Sequence, residues 1–261
     1  MSISKINTIS IANISQLVGK SKGDIASVVG QQIPASQPSI ITDNLYQYYD
    51  ASNASSYPGS GTTWTDLQSN YNVSLINGPT FESTDPKHFD FDGVNDYTRG
   101  ATNYAHSSTD MTVEAWVRKD TTSRYRQSIC AAFQQTATNR RFLLNFEPST
   151  GVARVIFRNT SANNFILPST TTFGSGTTWY HIVGIKDGSN VYIYVDGSQE
   201  NSMTFSGTLG TCNVFGIGER QLSSQDLMRG DIAKVRIYSD ALSPSEVQQN
   251  YDAEKSYFGK T

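Results

Sequence analysis

Residues 177–199 read TTWYHIVGIKDGSNVYIYVDGSQ. Two runs rich in β-branched and aromatic residues, TWYHIVGIK (178–186) and NVYIYVDG (190–197), flank Asp187-Gly188-Ser189. Such runs favour a pleated surface, and a short Asp-Gly turn between them predicts a β-hairpin. In the second run Val191, Ile193 and Val195 share one face, and Tyr192 and Tyr194 share the other. This alternation marks a strand with one face turned to a core.

The same grammar extends outward. MTVEAWVR (111–118) alternates strictly, with Met111, Val113, Ala115 and Val117 on one face and Thr112, Glu114, Trp116 and Arg118 on the other. RRFLLNFE (140–147) and GVARVIFRN (151–159) flank Pro148-Ser149-Thr150 as a second hairpin, and DIAKVRIYS (231–239) sets Val235 and Ile237 opposite Lys234 and Arg236. Many short strands separated by turns predict an all-β, antiparallel two-sheet sandwich over residues 45–261. One short helix is predicted near 244–252. Ser243 caps its start, Glu246 reaches back to the cap, and Pro244 suits the first helical position.

Composition narrows the function classes. The 261 residues hold 20 Lys+Arg against 23 Asp+Glu, a net charge of −3, which argues against a mainly electrostatic nucleic-acid binder. Only 16% of residues are charged, yet 14 Tyr, 12 Phe and 3 Trp exclude a disordered chain. No apolar run is long enough to span a membrane. The N-terminus lacks the apolar core of a secretory signal, so synthesis in a cytoplasm is expected. Cys130 and Cys212 sit in apolar strand-like contexts and read as buried free thiols; a disulfide cannot be deduced from their spacing. With three His and two Cys, no zinc-type cluster is expected.

Residues 1–30 carry a degenerate repeat in which ISKIN, ISQLVG and IASVVG begin at Ile3, Ile14 and Ile25, eleven residues apart. Ile6, Leu17 and Val28 align in the same register. Gly19, Gly23 and Gly30 oppose a helix, and so short a set of strands cannot bury two faces alone. The segment is therefore read as an arm that adds strands to a neighbour through Ile3, Ile6, Ile14, Leu17, Ile25 and Val28. Residues 31–44, with Pro34 and Pro38, read as a linker.

Five stretches taken together resemble the laminin G-like branch of the concanavalin A-like lectin/glucanase superfamily. They are residues 48–81 with Trp64-Thr65-Asp66-Leu67, HFDFDGVNDYTRG (88–100), MTVEAWVR, the 177–199 hairpin, and residues 215–251 with MRGDIAKVRIYSDALSPSEVQQNY. The resemblance covers about residues 45–252 and implies a jelly-roll sandwich, one sheet of which often forms a concave binding face. Retaining glucanases of this fold carry Glu-x-Asp-x-x-Glu on one strand. That spacing is absent, and Glu114 stands alone on its strand, where it is expected to pair with arginine or meet solvent. No GxSxG elbow or phosphate-binding loop is present, so no enzymatic activity is expected.

Two kinds of binding site remain open. Asp92 and Asp96 of FDGVNDY supply oxygen ligands on a turn and are the candidates for calcium, although Asp, Asn and Gly are also ordinary turn residues. No other cofactor is expected. Tyr97, Tyr104, Trp116 and Tyr125 are the candidate glycan-contact aromatics, and Arg140-Arg141 reads as a solvated or paired basic spot. Laminin G-like sandwiches on short Ile/Val/Gly-repeat arms resemble structural proteins of tailed-phage virions. The leading expectation is thus a non-enzymatic capsid-decoration or tail-fibre protein on the virion surface. Its partners would be other virion proteins or sister subunits in a homo-oligomer, with host glycans a further contact. The alternative is a secreted or surface carbohydrate-binding lectin module. A glycoside hydrolase is the third reading and needs a second carboxylate near Glu114.

Overall fold

A computed structural model describes residues 38–120, 125–135, 139–220 and 226–261. Residues 1–30, and with them the six proposed anchoring residues, lie outside the described part of the chain.

The described residues form two antiparallel sheets, as the alternating runs predict. The first sheet has the order β14 (Ser198–Thr204), β13 (Asn190–Val195), β12 (Tyr180–Asp187), β7 (Met111–Lys119), β16 (Arg229–Tyr238), β5 (His88–Asp92) and β4 (Thr80–Glu82). β1 (Leu45–Asp50) also pairs with β16. The second sheet runs β11 (Asn164–Thr172), β10 (Val152–Arg158), β9 (Arg140–Phe146), β8 (Gln127–Phe133), β15 (Val214–Ile217), β6 (Tyr97–Arg99), β3 (Val73–Ile76) and β2 (Thr63–Trp64). The 177–199 hairpin is β12–β13, closed by the pair Asp187 and Asn190.

The core lies between the sheets. Val113, Ala115, Val117, Ile182, Ile193, Val235 and Ile237 of the first sheet belong to one buried cluster with Phe142, Leu144, Phe146, Val155, Phe157 and Phe215 of the second. Gly184 on β12 marks a close approach of the sheets, because a Cβ there would collide with the side chain of Val155 on β10. Only a residue without a side chain lets the sheets meet at that point.

The one α-helix among the described residues, α1 (Pro244–Glu254), extends two residues beyond the expected end. Ser243 Oγ accepts from Glu246 N at 3.3 Å, and Ser243 N donates to Glu246 Oε2 at 2.7 Å. Both halves of the reciprocal cap are therefore present. Val247, Asn250, Tyr251 and Glu254 are its buried residues, at the three- and four-residue spacing of one helical face. That face lies on the outside of the first sheet, where Tyr251 and Phe258 stack on Trp116 at centroid distances of 5.8 and 4.1 Å. The described part of the segment read as a linker rests on the same layer: Ile41 N donates to Asn250 Oδ1 at 2.7 Å, and Ile41 O accepts from Tyr238 OH at 3.1 Å. No helix among the described residues is long and apolar enough to cross a membrane.

Candidate functional site

Each sheet has an outer face, and the two are built differently. On the first sheet, β7 turns Glu114 and Trp116 outward and β16 turns Lys234 and Arg236 outward, all beneath α1. Arg236, 1% exposed, donates to both Glu114 Oε1 and Glu254 Oε1. Asn250 Nδ2 donates to the other Glu114 oxygen at 2.7 Å, and Trp116 Nε1 donates to the other Glu254 oxygen at 2.8 Å. Lys234 Nζ lies 2.8 Å from Glu254 and 3.1 Å from Asp50. Burial alone would raise the Glu114 carboxyl, but Arg236, His181 and the donors around it outweigh that and bring it down to about 2. Glu254 is lowered in the same way, with burial opposed by Arg236 and Lys234. A second carboxylate thus does share a partner with Glu114. Both are ionised, saturated and sealed, whereas a glycosidase must keep one carboxylic acid protonated beside its substrate. Glu114 meets arginine and no solvent.

The second sheet's outer face carries a groove. In β10, Ala153, Val155 and Phe157 enter the core, so Arg154, Ile156 and Arg158 project outward. In β9, Leu143 and Asn145 project between Arg154, Ile156 and the β8 residues Ser128 and Ala131. A register shift between Ala132 and Phe133 sets Phe133 opposite Arg140. It sends Arg141 to the backbone carbonyls of Gly210 and Ser108 and leaves Arg140 on the outer side. The groove has a volume of about 160 Å³. Leu143, Ile156 and Ile166 supply its apolar lining, and Arg126, Arg140, Arg154, Arg220 and Asn164 its polar lining.

Its charges do not balance. Glu147 pairs with Arg154 and lies 3.7 Å from Arg126, and Asp226 pairs with Arg220. Arg140 has no carboxylate partner among the described residues. Burial lowers the Arg140 guanidinium, and repulsion from Arg220 and Arg158 adds to this, taking it down to about 10. Arg154 is lowered chiefly by burial, which outweighs the help of Glu147. The Nε groups of Arg140, Arg154 and Arg220, the Asn145 amide and Ser128 Oγ are buried with no hydrogen-bond partner among the described residues. At the β6 side of the same face, the Arg99 guanidinium lies 4.8 Å from the Tyr97 ring centroid and 6.0 Å from that of Phe133. Glu219 holds it, with Arg99 Nε donating to Oε1 at 2.8 Å.

The candidate aromatics divide accordingly. Tyr97 is on this outer face, and Tyr125, 43% exposed, directly precedes the groove residue Arg126. Trp116 and Tyr104 are corrected: at 0% and 2% exposure neither reaches a sugar. Trp116 is covered by α1 and Phe258, and Tyr104 is packed edge-on against Tyr71 at 4.9 Å with its hydroxyl donating to Gln47 at 2.8 Å. Asp92 and Asp96 do come together, but Asp92 Oδ1 accepts the backbone N–H groups of Val94, Asn95 and Asp96 at 2.8, 3.1 and 3.3 Å. Asp96 Oδ2 accepts Asp92 N at 3.3 Å. No third acidic, His or Cys side chain joins them among the described residues, whereas calcium takes six to eight oxygens. Both carboxylates frame the turn through these backbone bonds. Cys130 and Cys212 are free thiols; burial raises both, Cys212 to about 11.

Arg154 and Arg220 are functional candidates that sequence reading missed, and Arg140, read as a solvated or paired spot, instead lines the groove with no ion-pair partner among the described residues. The outward spacing Arg154-x-Ile156-x-Arg158 was visible in the 140–159 hairpin, but Arg220 and Arg126 reach the groove only through the fold.

A laminin G-type sequence profile, described as the concanavalin A-like lectin/glucanases superfamily, matches residues 91–248, more than half of the chain. The chain belongs to this superfamily. A search of curated proteins finds no match. Among solved structures, this superfamily member is similar to the botulinum neurotoxin serotype D ligand-binding domain in complex with N-acetylneuraminic acid, at 14% identity and a TM-score of 0.65, over 84% of this chain and 55% of that one. The binding domain of Paraclostridial mosquitocidal protein 1 gives the same identity, TM-score and coverage. Trypanosoma rangeli sialidase in complex with sialic acid is 18% identical with a TM-score of 0.61, over 84% of this chain and 34% of that one. The chain therefore spans about half of the toxin domains and about a third of the sialidase. At such identities the likeness is one of fold.

Proposed function

We propose that residues 38–261 are a non-enzymatic carbohydrate-binding module whose ligand lies in the groove on the outer face of the second sheet. The observation that carries this reading is the groove itself. It is a sheet face that no other described element covers, where apolar patches from Leu143, Ile156 and Ile166 adjoin side-chain donors without partners among the described residues. A sugar ring offers C–H faces to the first and oxygen acceptors to the second. Membership of a superfamily that includes lectins agrees with it. Glu147 and Asp226, the carboxylates beside the groove, are each tied to arginine, and Glu114 and Glu254 are sealed beneath α1. The test is a glycan array followed by calorimetry with the full chain and an Ile166→Trp variant, which fills the mouth of the groove. Binding lost in the variant at unchanged Tm supports the reading. Release of reducing ends from a polysaccharide by the purified protein would overturn it.

The eleven-residue repeat of residues 1–30 favours a second reading of the whole chain: a phage capsid-decoration or tail-fibre protein, held in the particle by its arm and displaying the module outward. Deleting residues 1–30 is expected to leave the sandwich folded and able to bind but absent from particles. Truncated protein that still co-purifies with particles would contradict it.

A further inference from the structure

We infer that the groove selects an acidic carbohydrate, its carboxylate or sulfate ester seated against Arg140 among Arg126, Arg154 and Arg220. This rests on the carbohydrate-binding reading above and adds the ligand's charge.

The argument begins with what the chain itself can offer Arg140. Four arginines line the groove, and among the described residues only Glu147 and Asp226 pair with them. Residues 121–124, 136–138 and 221–225, which border β7, β8, β9 and the Arg220–Asp226 pair in sequence, contain no Asp or Glu and add one more arginine, Arg124. The local excess of positive charge is therefore a property of the sequence of this region. Packing like charges into a half-buried site costs stability, and so does leaving a buried donor unpaired. Arg140 is lowered to about 10 because burial and the arginines around it together outweigh the attraction of Asp226, which forms no ion pair with it. A guanidinium kept under that strain is characteristic of a residue retained for binding rather than for folding.

Size and shape agree. A dry cavity of about 150 Å³ accepts a benzene-sized ring, so about 160 Å³ accommodates one six-membered sugar ring. Leu143, Ile156 and Ile166 face such a ring, and the arginine fork matches a planar carboxylate or a sulfate through paired N–H donors.

The experiment is isothermal titration of the full chain with lactose, 3′-sulfolactose, 3′-sialyllactose and trigalacturonate at two salt concentrations. Thermal unfolding of wild type, Arg140→Gln and Arg140→Lys accompanies it. At least one acidic probe is expected to bind tenfold or more tighter than lactose and to weaken with salt. The sulfated and carboxylated arms identify which anion is preferred. Arg140→Gln should lose at least tenfold in affinity for the acidic probe while its Tm stays level or rises, and Arg140→Lys should fall between. Equal binding of acidic and neutral sugars overturns the inference and leaves the carbohydrate-binding reading standing. Failure of every glycan, neutral or acidic, to bind overturns both. An Arg140→Gln variant that loses Tm together with affinity makes Arg140 structural and also overturns the inference.

Discussion

The outer faces of the two sheets hold the same kinds of residue in opposite states. Under α1, Arg236 is matched by Glu114 and Glu254, and Lys234 by Asp50 and Glu254. On the second sheet Arg140 faces other arginines and forms no ion pair among the described residues, although Arg154 and Arg220 nearby do; Asp226, which attracts it, is held by Arg220. Where a charged face is roofed by a helix, each of these charges has acquired a partner, because an unmatched buried charge is strongly destabilising. Where no described element covers the face, an imbalance survives among the described residues, since solvent screens part of it. One face is core that happens to be charged; the other has the makings of a site.

The contrast is most directly broken by Arg236→Ala. This variant removes the guanidinium shared by two buried carboxylates and leaves Glu114 without its arginine, and urea denaturation should show a loss of about 3–5 kcal/mol. A loss below about 1 kcal/mol would mean that the roofed network is not holding the fold. Acid acts on the same network. Glu114 has its folded-state value near 2, below the ordinary 4.5, so its contribution is fully present above about pH 4.5 and is lost as pH falls toward 2. The decline should approach about 1.4 kcal/mol per pH unit within that window and flatten in Glu114→Gln. Ser243→Ala removes the cap that starts the roof and should cost about 1 kcal/mol by thermal or chemical unfolding. The smallest effect on stability, and the sharpest test of the contrast, belongs to Arg140→Gln. Its change in Tm should be near zero or positive, opposite in sign to that of Arg236→Ala, and a clear drop would erase the distinction between the faces.

Much of the scaffold was legible residue by residue. The β12–β13 hairpin follows from two alternating runs around Asp187-Gly188-Ser189, and β9–β10 from two more around Pro148-Ser149-Thr150. The start of α1 follows from Ser243, Pro244 and Glu246. These features depend on neighbours within a few positions, and period-two alternation together with capping geometry expresses them directly. Trp116 shows where such reading stops. Its place on the outward face of β7 was correct, yet the face is roofed by Tyr251 and Phe258, more than 130 positions later in the chain.

By itself, then, the sequence determined which runs become strands, where they turn, which residues share a face, and that no paired-carboxylate motif of the glucanase kind is present. Tertiary structure alone decided which outer face would be covered. It separated the adjacent Arg140 and Arg141 by one register shift and brought Arg126, Arg140, Arg154 and Arg220 to one groove from four separate places in the chain. The reason is physical: side-chain direction is set by local backbone geometry, whereas burial and charge balance are set by whatever distant chain arrives against that side.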